Sequence, residues 1–336
     1  MDLQKNKKIY NTFNNKKILI TGGTGSIGLS IAKSLLKLNP NAIRIFSNDE
    51  NSIFEAKKII INHPKVNFIL GDIRDKDRLS LALRGIDIVF HAAAMKHVEI
   101  CEENPFDAVK TNVVGTSNLL EVALIENVSK FILISTDKAT HPTTTLGASK
   151  LLSERLTMNA GRYRGTGKTI FSIVRFGNVI GSRGSVLQIF KENLQKDHNL
   201  NVTDSRMSRF MMSLTDASEM ILNVTSIAND AEIYILKMPT VKITELAEKT
   251  LEIYKKYFNK KCKSKIDIKK LEKRERLNEY LISNDELEFC QDLGNMYKIS
   301  QKHATRKLSI NAFDSSTARN ISEKELVKII KQSLTE

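Results

Sequence analysis

An α/β protein with a doubly wound parallel sheet is what this sequence predicts, and three observations predict it. Short apolar runs alternate with helical patterns from Lys16 onward. A glycine-rich turn, TGGTGSIG, joins the first of those runs to the first helical pattern. The runs VNFILGD, IDIVFHAAA and KFILISTD are apolar on both faces, as strands covered by helices on either side must be. Strands that alternate with helices are joined by right-handed crossovers and lie parallel.

Each element follows in turn. KKILITGG reads as the first strand, and GLSIAKSLLKLN as a helix with apolar residues three and four apart. AIRIFSND is the second strand and SIFEAKKIIINH the second helix. The three doubly apolar strands come next, with helices expected around Lys76–Arg84 and Pro105–Glu126. A helix over Gly147–Tyr163 precedes a last long strand, TIFSIVRFGNV. Beyond Asn178 the segments are shorter and more polar, and residues 255–275 are rich in charge with weak periodicity. The division expected is a basic N-terminal extension at 1–15, a dinucleotide-binding domain at 16–178 and a smaller substrate-binding region at 179–336. Part of that last region is expected to pack back on the sheet. The N-terminal residues are expected to be either disordered or an oligomer contact.

Composition narrows the function classes. The chain has 336 residues, 41% hydrophobic and 27% charged, which excludes wholesale disorder and allows a sizeable core. No apolar run reaches the roughly 18 residues a membrane-spanning helix needs. The polar, basic start MDLQKNKKIYNTFNNK lacks the apolar stretch of a secretory signal. Cys101, Cys262 and Cys290 are few, odd in number and far apart, which argues against a disulfide framework and for a reducing cytoplasm. The net charge of +14 suits phosphorylated small molecules or an anionic surface. The basic residues are spread widely without interleaved aromatics, so nucleic acid is not the expected partner.

The turn from Thr21 to Gly28 fits Gly23-x-Gly25-x-x-Gly28 and also Gly22-x-x-Gly25-x-x-Gly28. Glycines there let the backbone approach a pyrophosphate, which then meets the helix N-terminus. Thr24, Ser26 and Ile27 complete the loop. Ser47, Asn48 and Asp49 close the second strand, where a carboxylate recognises the adenosine ribose. Asp72 and Ile73, after the third strand, are placed for the adenine ring, or form a plain strand-end turn. Together these make the fold Rossmann-type and the expected cofactor NAD or NADP.

Ser135, Thr136, Asp137 and Lys138 fall at the carboxyl end of a strand, the edge where ligands bind in such sheets. Lys150 lies on the following helix, one turn after Leu146. His91 and His97 flank AAAMK without a third ligand at suitable spacing, so both are expected to be structural and no metal site is expected.

TGGTGSIG, HAAAMKHVEICEENP, STDKATHP, GASK, VRFGNVIGSRGSV and SRFMMSL together resemble the CapD-like nucleotide-sugar 4,6-dehydratases of the extended short-chain dehydrogenase/reductase superfamily. The likeness spans Lys16 to Leu222, with a fainter echo at Glu275–Ser283. It implies action on UDP-N-acetylglucosamine in polysaccharide biosynthesis, with a tightly held cofactor that is regenerated each cycle. Hydride leaves C4 of the sugar and later returns to C6, with water eliminated across C5 and C6 in between. The resemblance implies that Asp137 is the acid, that Lys138 is the C5 base with a depressed pKa, and that Thr136 holds the C4 oxygen. Lys150 would hold the nicotinamide ribose. The tyrosine usual one turn earlier is Leu146, as in some members.

Ala92 and Lys96 would line the cofactor, and Lys96, Asn178, Val179 and Glu275 the substrate. Arg183 and Arg209 are expected on its diphosphate. The family's Arg-Pro-Gly-Glu-Lys segment is here Glu272-Lys273-Arg274-Glu275-Arg276, a remodelled loop. A homo-oligomer is implied, packed through Pro105–Glu126 and Gly147–Tyr163. A C4-epimerase, a 4-keto reductase and a non-catalytic dinucleotide sensor are the alternatives.

Overall fold

The structure is a computed structural model describing residues 3, 5–61, 63–270, 275–301, 308 and 313–335. The chain opens with α1 (Lys7–Phe13) and continues through β1 (Lys17–Thr21), α2 (Ser26–Leu36), β2 (Ala42–Ser47), α3 (Glu50–Ile60), β3 (Val66–Leu70), α4 (Lys76–Leu83) and β4 (Ile88–His91). Next come α5 (Val98–Glu103), α6 (Pro105–Ala108), α7 (Gly115–Ile125), β5 (Lys130–Thr136), α8 (Thr145–Ala160) and β6 (Ile170–Phe176). The later part adds β7 (Asn178–Ile180), α9 (Val186–Gln195), β8 (Leu200–Val202), β9 (Ser208–Ser213), α10 (Leu214–Ile227), β10 (Glu232–Leu236) and β11 (Thr240–Lys242). It ends with α11 (Ile243–Tyr257), β12 (Ile266–Ile268), β13 (Cys290–Asp292), β14 (Met296–Ile299) and α12 (Glu323–Thr335).

The main sheet runs β3-β2-β1-β4-β5-β6-β10-β14-β13. Its first seven strands are parallel and the last two antiparallel. This is the doubly wound α/β fold that the alternation predicts. Strand order reverses between β1 and β4, which opens a crevice at the carboxyl edge of those strands. The middle of β5 is buried throughout, from Phe131 to Ser135, because helices cover both faces.

Three local expectations change. Residues 1–15 are not disordered over the described part: Ile9 and Phe13 of α1 are fully buried, and the Phe13 ring stacks on Phe90 at 6.2 Å. Apolar burial on the sheet outweighs the segment's basic composition. The helix expected over Pro105–Glu126 is interrupted by a wide π turn at Val109–Val114, which turns Asn112 inward. The strand expected from Thr169 to Val179 parts at Gly177, where a Cβ would stand 2.7 Å from that of Phe210. There β6 ends, and β7 leaves the main sheet to pair with β9.

The later half divides its loyalties. β10, β13 and β14 extend the main sheet, while β7, β9 and β11 form a three-stranded sheet and β8 pairs with β12. A second apolar core joins Leu187 and Phe190 of α9 to Leu246 of α11 and to Leu326 and Ile330 of α12. Residues 272–274 of the remodelled loop lie outside the described residues. Among the described residues no helix is long and apolar enough to cross a membrane.

Candidate active site

The phosphate loop has the geometry its glycines predict. Gly22 has φ +62°, and a methyl there would stand 2.7 Å from the Ala93 backbone, so only glycine lets the loop lie against the end of β4. Gly25 is the N-cap of α2 and has no side chain to cover the helix N-terminus, which keeps its N–H groups available to an anion. Gly28 packs on Gly23, where a methyl would meet Cα at 2.6 Å. Thr24 Oγ1 donates to Ser47 Oγ at 2.9 Å and ties the loop to the end of β2. Ser26 begins α2 and Ile27 packs on the core. Ala92 N donates to the Thr21 carbonyl at 3.1 Å. A close backbone approach beside an uncapped helix start fits the pyrophosphate of a dinucleotide.

At the second strand's end, Asp49 caps α3: its Oδ1 accepts from the Asn51 and Ser52 N–H groups. The Ser52 hydroxyl, the largest influence, holds this carboxyl below the usual aspartate range. Asn48 Nδ2 reaches Asp72 at 3.4 Å. Asp72 is gripped by Arg74 at 3.0 and 2.6 Å, and Ile73 is buried against Gly115. Asp72 and Ile73 thus sit in a turn at the strand end, braced by Arg74 and Gly115.

Arg183, expected on the substrate diphosphate, stands against the phosphate loop. Its main-chain N–H donates to Ser26 Oγ at 3.0 Å, and its guanidinium donates to the Thr24 carbonyl at 2.5 Å and reaches Ser52 Oγ at 3.5 Å. Lys96 Nζ donates to the Arg183 carbonyl. The loop after β7 is thereby laced across the phosphate loop, which puts both cations beside it. Burial, and then Arg183, hold the Lys96 amine below its ordinary value.

At the end of β5, Thr136 Oγ1 donates to Asp137 Oδ1 at 2.9 Å, and Lys138 Nζ donates to the same oxygen at 3.1 Å. Asp137 is fully buried and its Oδ2 has no hydrogen-bond partner. Lys138 Nζ also lies 3.4 Å from Glu279 Oε1. Burial pulls the Lys138 amine down, but Asp137 and Glu279 outweigh it, and the net shift is upward. That corrects the depressed value expected of a free base: set against two carboxyl groups, the Lys138 amine is held in its ammonium form.

Arg209, expected on the substrate diphosphate, is fastened to the backbone of a distant segment. Its guanidinium donates to the carbonyls of Ser208, Leu277 and Arg276 at 2.8 to 2.9 Å, and stands 3.8 Å from Glu279 and 3.9 Å from Glu275. Arg209 thus holds residues 275–279 against the site. Glu275 Oε2 is buried without a partner. Asn178 and Val179 follow Gly177, whose own Cβ position is 3.1 Å from Asp137 Oδ2, so the start of β7 lies beside the acid.

Lys150 points inward from α8 and donates to the Ile134 carbonyl at 2.8 Å. Burial pulls its amine down to about 8, against the raising influence of Glu154. Leu146 is buried in a small apolar cluster with Cys101 and Ala108. A methyl at Gly147 would collide with the Lys138 carbonyl, so this glycine seats the start of α8 on the Asp137–Ala139 turn.

His91 is structural. Nδ1 lies 2.7 Å from Thr21 Oγ1 and Nε2 lies 2.9 Å from Thr116 Oγ1. Because Thr116 gives its proton to the Asn112 carbonyl, Nε2 carries the ring's N–H.

Sequence reasoning missed two residues. Asn112 accepts from Met95 N at 2.8 Å and donates to Met95 O and Ser149 Oγ, fixing the loop that carries Lys96 to helix α8. Glu279 joins Lys138 from a distant segment. No local spacing marks it, and only its place in the faint echo at Glu275–Ser283 could have drawn notice.

Residues 18–301 match the family model described as "Polysaccharide biosynthesis protein". The chain is 40% identical to the UDP-N-acetylglucosamine 4,6-dehydratase (inverting) of Campylobacter jejuni, over 95% of this chain and 98% of that protein. It is 38% identical to the UDP-glucose 4-epimerase of Rickettsia bellii, over 85% of this chain and 83% of that one. The solved structure of Pen from Bacillus thuringiensis superposes with a TM-score of 0.89 at 38% identity, covering 96% of this chain and 98% of that one. The chain belongs to the polysaccharide biosynthesis protein family.

Proposed function

We propose that this member of the family is a nucleotide-sugar 4,6-dehydratase that acts on UDP-N-acetylglucosamine or a close relative. One observation carries the reading: Asp137 and Lys138, an acid and a base in contact, sit at the sheet edge that also bears the phosphate loop. Elimination needs such a pair in addition to a hydride acceptor. When bound, a nicotinamide dinucleotide, NADP or NAD, supplies the hydride acceptor and donor of an internal redox cycle.

Gly22, Gly25, Ser26 and Gly28 would hold its pyrophosphate, Ser47 and Asp49 its adenosine side and Lys150 its nicotinamide ribose. Thr136 orients the C4 oxygen. Lys138 takes the C5 proton and Asp137 gives a proton to the departing C6 hydroxyl. Lys138 is an ammonium in the ion pair, so the working form is reached by handing its proton to Asp137 across 3.1 Å. The buried Asp137 Oδ2 is an acceptor without a partner, suited to the sugar hydroxyl.

The three free, buried cysteines support a reducing compartment, the cytoplasm. Phe106, Val109, Val114, Leu152 and Tyr163 are exposed apolar residues on the α6–α8 face, which supports pairing with a second copy there.

The test is turnover of the purified protein with UDP-N-acetylglucosamine, followed by mass spectrometry of the sugar and of the released cofactor. Loss of one water with no net cofactor reduction is the expected result. An unchanged mass with altered C4 stereochemistry would favour the epimerase reading, which the Rickettsia relative supports. Cofactor and sugar bound without any change would leave a sensor whose chemistry ended with Leu146.

A further inference from the structure

We propose that Glu279 is a positioning residue for the dehydration, the counter-ion beside which Lys138 takes up a proton and passes it to Asp137. The proposal rests on the dehydratase reading above.

The geometry is specific. Glu279 is only 4% exposed, and its Oε1 lies 3.4 Å from Lys138 Nζ and 3.8 Å from Arg209 Nε. Its Oε2 has no hydrogen-bond partner. Burying a carboxylate with one oxygen unsatisfied is unfavourable, so the surrounding chain must hold it there. The Glu279 N–H donates to Ser315 Oγ at 2.9 Å, and the Ser315 N–H returns a bond to the Glu279 carbonyl at 3.0 Å. Ser208 Oγ lies 2.8 Å from Ser315 Oγ, and neighbouring Arg209 is fastened to the carbonyls before Glu279. The backbone is thus fixed from two sides while the carboxylate is left to face Lys138.

The charges around Lys138 define what Glu279 does. Asp137 and Glu279 are the anions against it, and Arg209 is the opposing cation. Glu275 stands 3.9 Å from Arg209, and Arg276 donates to the Thr140 carbonyl.

During elimination the C5–H bond breaks and its proton goes to Lys138 Nζ, the electron pair forming the C5–C6 double bond. The C6–O bond breaks and the hydroxyl leaves as water with the proton of Asp137. Lys138 is then an ammonium and Asp137 a carboxylate, the ion pair seen here, and one proton transfer between them resets the dyad. Positive charge grows on Lys138 in the first of these events. Glu279 stabilises that charge together with Asp137, its Oε1 3.4 Å from the amine.

The experiment is a pH profile of dehydration by full-length wild type, Glu279→Gln and Glu279→Asp, with cofactor content and thermal melting as controls for folding. Glu279→Gln is expected to lower kcat by about 10- to 100-fold, with KM nearly unchanged. It is also expected to move the alkaline limb to lower pH, because the ammonium has lost one of its two counter-ions. Glu279→Asp keeps the charge and restores the limb.

Titration of the Lys138 side chain by carbon NMR gives a second readout that needs no turnover, and a lower midpoint in Glu279→Gln is the expected result. An active wild type whose alkaline limb and Lys138 titration are both unmoved in Glu279→Gln overturns the inference and leaves the dehydratase reading intact. A wild type that removes no water from any sugar nucleotide overturns both.

Discussion

Two buried ion networks lie side by side at the end of β5, and they are built to different standards. On one face, Arg175 donates to both oxygens of Glu154 at 3.1 and 2.6 Å and to both oxygens of Glu286 at 2.9 and 2.8 Å. Ser135 Oγ adds a 2.5 Å bond to Glu154, Ser283 N a 3.0 Å bond to Glu286, and Arg175 also reaches the Leu281 carbonyl. On the other face, Asp137, Glu279 and Arg209 are buried and Lys138 and Glu275 half-buried, and three carboxylate oxygens have no partner.

Ser135 and Thr136 are neighbours, and strand alternation sends them to opposite faces. Buried charge does not distinguish the two networks, since both have it. Unfilled hydrogen-bonding capacity does: a satisfied network holds elements together, and an unsatisfied one has room for a substrate's polar groups.

The largest effect should fall on the unsatisfied network. Lys138→Met is expected to lower dehydration per folded molecule by about 10²- to 10⁴-fold, as read by the mass assay with folding followed by calorimetry. A variant that melts early but turns over normally once folded would break the contrast. The next effect belongs to the satisfied network. Arg175→Met strands two buried carboxylates and is expected to remove about 3–5 kcal/mol of stability, measured by urea unfolding. If it folds as wild type and loses dehydration instead, the assignment of roles is inverted.

A third buried titratable group, His91, sharpens the comparison because it is buried neutral. Burial first, and the Lys150 charge second, pull its pKa to about 3. The unfolded value is higher, so the unfolded chain takes the proton first as pH falls. The contribution is whole above the unfolded pKa of roughly 6.5 and drains away as pH drops toward the folded value. Between pH 7 and pH 5 the wild type should lose about 2 kcal/mol through this group, a loss that His91→Gln should not show in urea unfolding at the two pH values. Equal losses in both proteins would mean that His91 is charged in the fold.

The smallest effect is Ser135→Ala, which removes one of several bonds to Glu154. It should weaken stability by about 1 kcal/mol with kcat unchanged. A large drop in kcat would show that the two faces are coupled through β5.

How much was legible in the sequence follows from how local each feature is. The strand–glycine–helix turn was readable because its requirements are met within eight residues: Gly22 against Ala93, Gly25 at an uncapped helix start and Gly28 against Gly23. Asp137 and Lys138 were readable as strand-end residues, and motif order suggested the chemistry proposed for them. The fates of the arginines were not readable. Arg183 is drawn to Thr24 and Ser26, and Arg209 to the carbonyls of 276 and 277, by segments far away in the chain.

The sequence by itself determined the α/β alternation, the parallel sheet and the edge on which ligands bind. Apolar periodicity and glycine spacing encode these over short windows. Tertiary structure alone decided the protonation of Lys138, the neutrality of His91 and the seating of α1 in the core. Each depends on which distant groups are brought within a few ångströms and shielded from water. Electrostatic interactions strengthen as water is excluded, so the charge state of Lys138 was settled only when the fold brought both Asp137 and Glu279 within 3.4 Å of its amine.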